Sequence, residues 1–362
     1  MTAPRLEVDL AKIESNTRHL VDQLARRGIG VTGVTKAALG SPGVGSAMLR
    51  GGASGLGDAR IENLARLAVG ERAASRTLIR SPMLSQAELV VRTATTSLNT
   101  GLQVLEALDH EARRLRRTHH VILMVELGDL REGVAPDDVA DLVAATGRLR
   151  RLRLAGLGTN LACQNGVIPD DRNMGELSRL AEKVEAESGQ RLEVVSGGNS
   201  ANLPWALSTS DVGRVNDLRI GEAILLGTEP SHRTAIPGLR TDAFVLVAEV
   251  IEVGVKPSRP WGSQGQTAYG ELPAPAPAAG GGTTRQAILA LGRQDVDLDG
   301  LIPPPGIRIL GMSSDHLIVD LGDHRLDVGD ELNFGLGYGA LVRAMTSPFV
   351  DKIEHLSGIP HI

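Results

Sequence analysis

QVLEALDHEARRLRRTHHVILMVEL (residues 103–127) changes its period once along its length. Up to Arg117 the apolar residues recur at helical spacing beside a charged face; from His120 to Leu127 they run almost unbroken. That is the pattern of a helix followed by a strand buried on both faces. The pair recurs. Strand candidates stand at 30–36 (GVTGVTK), 53–58 (ASGLGD), 77–82 (TLIRSP), 95–100 (TTSLNT), 120–127 (HVILMVEL), 153–161 (RLAGLGTNL), 191–199 (RLEVVSGGN) and 217–224 (DLRIGEAI). Segments of helical periodicity, such as 137–148 and 173–188, lie between them. Alternation of this kind predicts an α/β fold with a parallel sheet. Eight units in roughly 230 residues is the count and size of a TIM (β/α)8 barrel. The competing arrangement, a doubly wound open sheet, lacks a dinucleotide fingerprint after its first strand.

Near residue 235 the rhythm changes. TDAFVLVAEVIEVGVKPS (241–258) alternates without a helix signal, and RQAILALGRQDVD, IRILGMSSDHLIVDLGD and VGDELNFGLGYG continue in that style. The expected organisation is therefore a barrel over 1–234 and a C-terminal all-β domain over 235–362. Residues 1–10, containing RLEVDL, are available to pair with the β-domain. The tract PAPAPAAGGGTT (273–284) reads as a surface loop. GLGYGA (335–340) matches a dinucleotide pattern but is expected to lack a following helix, and is set aside.

The chain has 362 residues, 42% of them hydrophobic and 22% charged, with a net charge of -5. This balance gives no basic surface for nucleic acid or an anionic membrane. Aromatic residues are only 2%, so the core must be aliphatic. One cysteine, Cys163, excludes an internal disulfide and fits a reducing compartment. Cys163 itself is expected to be a buried structural residue. The N-terminus has no apolar signal region, and no run of about 18 apolar residues occurs. A cytoplasmic protein is expected. The pair His119-His120 reads as a solvated strand entrance with no metal geometry around it.

GVTKAALGSP (33–42) places a lysine at the end of the first buried strand. In a barrel, functional side chains sit at the C-terminal strand ends. Lys36 is then either a solvated lysine at a strand exit or an amine that forms a Schiff base with an aldehyde cofactor such as pyridoxal phosphate (PLP). Such a site also needs a phosphate cradle and a partner for the pyridine nitrogen. SGGNS (196–200) and LRIGEAILLG (218–227) close the seventh and eighth strands, where barrels bind phosphate. Arg219, on a buried strand, requires a partner.

GVTKAALG, GDARIENL, LGDLREG, TNLAC, SGGNS, LRIGEAILLG, TDAFVLVAEV, GRQDVD and SSDHLIVDL follow one another along nearly the whole chain. Together they make the sequence resemble the alanine racemase family of fold-type III PLP enzymes, and within it the ornithine racemase branch. The resemblance implies the following roles. Lys36 carries the cofactor. Ser200, with the backbone of Gly221 and Glu222, holds its phosphate. Arg219 faces the ring nitrogen, and Asn160 stands where alanine racemases carry a histidine under the ring. Arg131 lies near the substrate carboxylate. Ser314 and Asp315 match a segment that reaches that carboxylate from the partner of a homodimer with shared sites. Tyr269, in TAYGE, matches a catalytic base opposite Lys36. The implied reaction is interconversion of L- and D-amino acids by proton transfer at Cα between two bases. Ornithine or a related basic amino acid is the expected substrate.

The sequence also departs from alanine racemase proper. Gly40 stands in place of a tyrosine and Met124 in place of a frequently carbamylated lysine. Alanine or serine racemisation, a fold-type III decarboxylase and a non-catalytic PLP-binding protein are the alternatives. The decarboxylase would need an acidic residue at Arg219 and a cysteine in the β-domain; the carrier would be a single barrel.

Overall fold

The computed structural model describes residues 2–67, 74–270 and 282–356. They form two compact units, one of residues 10–243 and one of residues 2–9 with 244–355. After β1 (Arg5–Asp9), the first unit runs α1 (Leu10–Ala25), β2 (Gly30–Val34), α2 (Pro42–Arg50), β3 (Gly55–Asp58), α3 (Ile61–Leu67), β4 (Ser75–Leu78), α4 (Ala87–Thr93), β5 (Thr96–Asn99) and α5 (Leu102–Arg114). It continues with β6 (His119–Met124), α6 (Val139–Thr146), β7 (Leu152–Gly158), α7 (Asp171–Ser188), β8 (Val194–Ser196), α8 (Leu203–Ser208), β9 (Asp217–Ile220) and α9 (Glu222–Leu226). The second unit holds β10 (Phe244–Pro257), β11 (Thr283–Leu289), β12 (Leu301–Ile302), β13 (Arg308–Met312), β14 (Leu317–Asp320), β15 (Glu331–Leu336), α10 (Tyr338–Thr346) and β16 (Asp351–His355).

Among the described residues, the parallel strands β2 to β9 close into a TIM-like barrel. The seam is the pairing of β2 with β9, where Thr32 stands opposite Arg219. Each of the eight expected strands is present. The eighth is shorter than expected. Gly221 accepts a hydrogen bond from Leu225 N at 3.0 Å, and the chain turns into α9 rather than extending to residue 224.

Leu98, Ile122, Met124 and Ala155 cluster with Ile79 and Val194 as an apolar core among β4 to β8. The helices bury Leu20, Leu24, Met48, Leu64 and Leu105. Each such aliphatic side chain contributes roughly 1.5–3 kcal/mol by leaving water, which lets a core almost without aromatics hold. Phe244 and Phe334, the largest fully buried side chains, are in the second unit.

The first unit extends to Ala243 instead of ending at residue 234. The cause is Asn16 on α1, which is 1% exposed. Its Nδ2 donates to the carbonyls of Ile224 and Arg240 at 2.9 Å, and its Oδ1 accepts from Arg240 N at 2.7 Å. A buried amide satisfied this way is costly to detach, so the segment through Arg240 stays with the barrel.

The second unit is a mostly antiparallel sheet in the order β12-β15-β10-β11-β14-β13. β1 joins it, antiparallel to β10 (Arg5 opposite Val247) and parallel to β16 (Arg5 opposite Asp351). Arg5, itself buried, donates to Glu7 at 2.6 Å and to both oxygens of Glu331 at 2.5 and 2.8 Å. The sheet is not all-β. α10 starts at Tyr338, within GLGYGA and directly after Gly337, which corrects the expectation that no helix follows. β15 pairs only antiparallel among the described residues, so the pattern is still not part of a βαβ unit. Residues 273–281 of the Pro/Ala/Gly tract lie outside the described residues.

His119 corrects another expectation. It is 1% exposed, with Nε2 2.9 Å from Ser97 Oγ. Burial, reinforced by the neighbouring His120, pushes its imidazole down to about 4. The folded state then holds His119 neutral while the unfolded chain protonates it below its usual 6.5. Stability is therefore lost as pH falls from about 6.5 toward 4, by on the order of 3 kcal/mol from this group. Denaturant unfolding at pH 7 and pH 4.5 should show that loss in the wild type. A smaller loss is expected in His119→Gln; an equal one would place the acid sensitivity elsewhere.

Candidate active site

β2 ends at Val34, and Thr35 turns the chain into the short 3-10 segment Lys36–Ala38. Ala37 and Ala38 are buried and Lys36 is exposed at the C-terminal end of the barrel. The turn is anchored from behind by Asp58, at the end of β3. Its carboxylate accepts from Thr35 Oγ1 at 2.8 Å, Arg60 N at 2.9 Å and Asn63 Nδ2 at 3.0 Å. Asp58 is wholly buried, and burial pushes its carboxyl up despite these donors. The segment GDARIENL thus holds the lysine turn in place.

Arg219 rises from β9, next to β2. It is 5% exposed. Its guanidinium donates to Ser196 Oγ at 2.5 Å, to the Thr159 carbonyl at 2.7 Å and to Asn160 Oδ1 at 3.4 Å. Desolvation pushes this guanidinium below its ordinary value, with Asp217 opposing the shift. Asn160 also accepts from Asn199 Nδ2 at 3.1 Å, linking the ends of β7 and β8.

Ser200 follows the SGGN turn and is buried; its Oγ accepts from Ala223 N at 3.2 Å, just past the Gly221 cap of α9. Gly198 makes this turn possible. Its φ is +143°, and a Cβ there would lie 2.2 Å from Asn202 Oδ1. The Glu222 side chain pairs with Arg233 at 3.1 Å. Burial pushes its carboxyl up, while Arg233 and Lys36 draw it down.

Arg131 lies in the loop after β6 and pairs with Glu132 through two short hydrogen bonds, which push its guanidinium up. That loop is tied to the next by Asp129, fully buried. Burial acts to raise its carboxyl, yet the backbone N–H groups of Gln164, Cys163, Asn165 and Val167, at 2.8 to 3.3 Å, hold it below the usual range. A cavity of about 1330 Å³ opens elsewhere, beside Leu152, Glu193, Arg214 and Asn216 at strand beginnings. It is remote from the end of the barrel at which such folds place chemistry.

The alanine racemase N-terminal domain family matches residues 8–229. The lysine racemase of Thermotoga maritima is 37% identical over 98% of this chain and 99% of its own. The ornithine racemase of Acetoanaerobium sticklandii is 34% identical over 96% of this chain and 99% of its own. The chain belongs to the alanine racemase family. It is an amino-acid racemase. The crystal structure of alanine racemase from D-cycloserine-producing Streptomyces lavendulae superposes with a TM-score of 0.77 over 99% of both chains. At 22% identity that likeness speaks to fold alone.

Racemases of this family are PLP-dependent. Lys36, Asn160, Ser200, Arg219, Gly221 and Glu222, which the sequence led us to expect around a cofactor, stand at or near the C-terminal ends of barrel strands, as does Arg131. Tyr269, Ser314 and Asp315 belong to the other unit, where GRQD gathers them. The Arg293 guanidinium lies 4.5 Å from the centre of the Tyr269 ring. Arg293 N donates to Ser313 O at 2.9 Å, and Gln294 Nε2 donates to Asp315 Oδ1 at 2.6 Å. Ser314 Oγ donates to Asp315 Oδ2 at 3.0 Å. Gly292 permits the contact, since a Cβ there would lie 1.9 Å from Ser314 O.

Cys163 is exposed, not buried as expected. Its backbone N–H is tied to the buried Asp129 at 3.1 Å while its side chain lies outside, where Sγ accepts from Asn160 Nδ2 at 3.0 Å. Asp58, Ser196 and Arg293 were given no individual role in the sequence reading. Their motifs were visible there, but contact with a functional residue is not a sequence pattern.

Proposed function

We propose that this racemase works with pyridoxal phosphate on basic amino acids, lysine or ornithine, the substrates named by its two full-length racemase relatives. The observation that carries the cofactor reading is an exposed lysine just past the end of β2 while the neighbouring β9 bears a buried arginine whose partners are a hydroxyl, a carbonyl and an amide oxygen. The donor set suits the group. Lys36 offers an amine to an aldehyde, Ser200 and the backbone at Gly221 and Glu222 offer neutral donors to a phosphate, and the Gly198 turn brings no side chain into that cradle.

Bound there, the cofactor would supply the electron sink that acidifies the amino acid's Cα–H. Lys36 would hold the cofactor through its ε-amine at rest and, once the incoming substrate amine has displaced and freed that amine, would take or return the Cα proton on one face. Tyr269 does so on the other. Amine and phenol both titrate near 10 in isolation, so their environments can match them for exchange in either direction. Arg219 would donate a hydrogen bond to the ring nitrogen while keeping its own proton, which would limit side reactions. Arg131 holds the substrate carboxylate. In this proposal the working molecule is a homodimer in which Tyr269, Ser314 and Asp315 of the second chain complete each site.

Incubation of the holoenzyme with single L-amino acids, followed by chiral chromatography, tests the reading. Lysine or ornithine should give its D-isomer at least about tenfold faster than alanine or serine, a discrimination of about 1.4 kcal/mol. A preference for alanine would overturn the substrate assignment. Loss of CO2 without D-product would overturn racemisation.

A further inference from the structure

Barrel interiors of this kind are filled mainly by Val, Ile and Leu. Below Arg219 this one is not. Asp217, two residues earlier on β9, accepts from Ser196 Oγ through Oδ2 at 2.5 Å and from Thr32 Oγ1 through Oδ1 at 2.8 Å. Ser196 has a single hydroxyl proton and spends it on Asp217. Its oxygen therefore faces Arg219 as an acceptor, at 2.5 Å from the guanidinium. The chain of contacts runs Asp217, Ser196, Arg219 and then outward to Thr159 O and Asn160.

We propose that Asp217 is a positioning residue for the reaction: through Ser196 it fixes the Arg219 guanidinium and balances its charge at the ring nitrogen. The inference rests on the cofactor reading given above.

Two observations support it. A carboxylate and a guanidinium inside a barrel cost desolvation, which is offset only when their geometry and remaining hydrogen bonds are good. Here both carboxylate oxygens are satisfied. Second, a cavity of about 320 Å³ lies against the pair on the side of the strand beginnings, lined by Thr32, His120, Glu193, Ser196, Asp217 and Arg219 among others. Its lining is mixed, and Thr32, His120, Glu193 and Ser196 give water polar partners on the carboxylate's side. The titratable groups facing the pair are His120 and Glu193 around this cavity. Arg131, Glu132 and Cys163 act on Arg219 from the other end. A buried arginine restrained at one nitrogen by a fixed acceptor presents the rest of its fork in one orientation, which is what a directed hydrogen bond to a ring nitrogen requires.

The test is Asp217→Asn, which keeps shape and removes charge, in holoenzyme reconstituted with cofactor carrying 15N in its ring. In the wild type the ring-nitrogen signal should be displaced from that of free cofactor. In Asp217→Asn it should move back toward the free value, and kcat should fall by about 10- to 100-fold with KM little changed. Ser196→Ala, which cuts the link and leaves both charges, should move the signal the same way and serves if Asp217→Asn does not fold. A displaced wild-type signal that neither variant alters would overturn this inference and leave the cofactor reading standing. A wild-type signal identical to free cofactor would overturn both.

Discussion

Lys36→Ala should yield a folded but colourless protein that has lost at least about a thousandfold in racemisation rate. The loss has two sources. Without the ε-amine there is no covalent tether for an aldehyde cofactor, and one of two opposed bases is gone. General acid–base catalysis alone contributes typically 10²- to 10⁴-fold. Folding should be little affected. Lys36 is exposed, and the turn around it is held by Ala37, Ala38 and the Thr35–Asp58 contact, none of which uses the lysine side chain. The measurement is the visible absorbance of purified wild type and variant, with borohydride reduction and mass spectrometry to locate the modified residue. A variant that keeps a reducible cofactor linkage would show that another amine carries it.

Mixing Lys36→Ala chains with Tyr269→Phe chains should restore activity to two proteins that are each nearly inactive. If each site takes its lysine from one chain and its tyrosine from the other, a mixed dimer has one site with both lesions and one with neither. With equal amounts and random exchange, half the dimers are mixed and half their sites are intact, so about a quarter of wild-type activity should return. Tyr269→Phe is a mild substitution here. The side chain is 46% exposed, and its ring keeps the face that meets Arg293. Exchange must be followed independently, for example with differently tagged chains. Proven exchange without recovery would mean that one chain builds each site, or that Tyr269 is not the second base.

The parts of this protein legible in its sequence are those that depend on local order. Each barrel strand is short, apolar and followed by a helix with one polar face, so its period declares it. The strand-end position of Lys36 follows from that alone, and SGGNS and LRIGEAILLG announce backbone turns because glycine and buried arginine are costly without a reason. The sheet unit was visible as a change of period near residue 235. Its helix, Tyr338–Thr346, was not, because it follows a glycine-rich stretch that reads as a strand end. His119 and Cys163 were misjudged for a common reason. Exposure is decided by what packs over a residue: Ser97 and the neighbouring elements cover His119, whereas the turn bearing Cys163, anchored through its backbone to the buried Asp129, leaves the thiol facing solvent.

By itself, then, the sequence determined the alternation of strand and helix, the aliphatic character of the core, and which residue types stand at the ends of strands. These are properties of neighbours along the chain, where sterics and hydrophobic period act within a few residues. Only the tertiary structure decided that Asn16 keeps the segment through Arg240 with the barrel, that β1 belongs to the second unit, that Asp58 anchors the lysine turn, and that Asp217 reaches Arg219 through Ser196. Each of these joins groups that closure of a sheet or barrel brings within hydrogen-bonding distance, and in each a buried polar atom takes the partner that the fold, rather than the chain order, puts beside it.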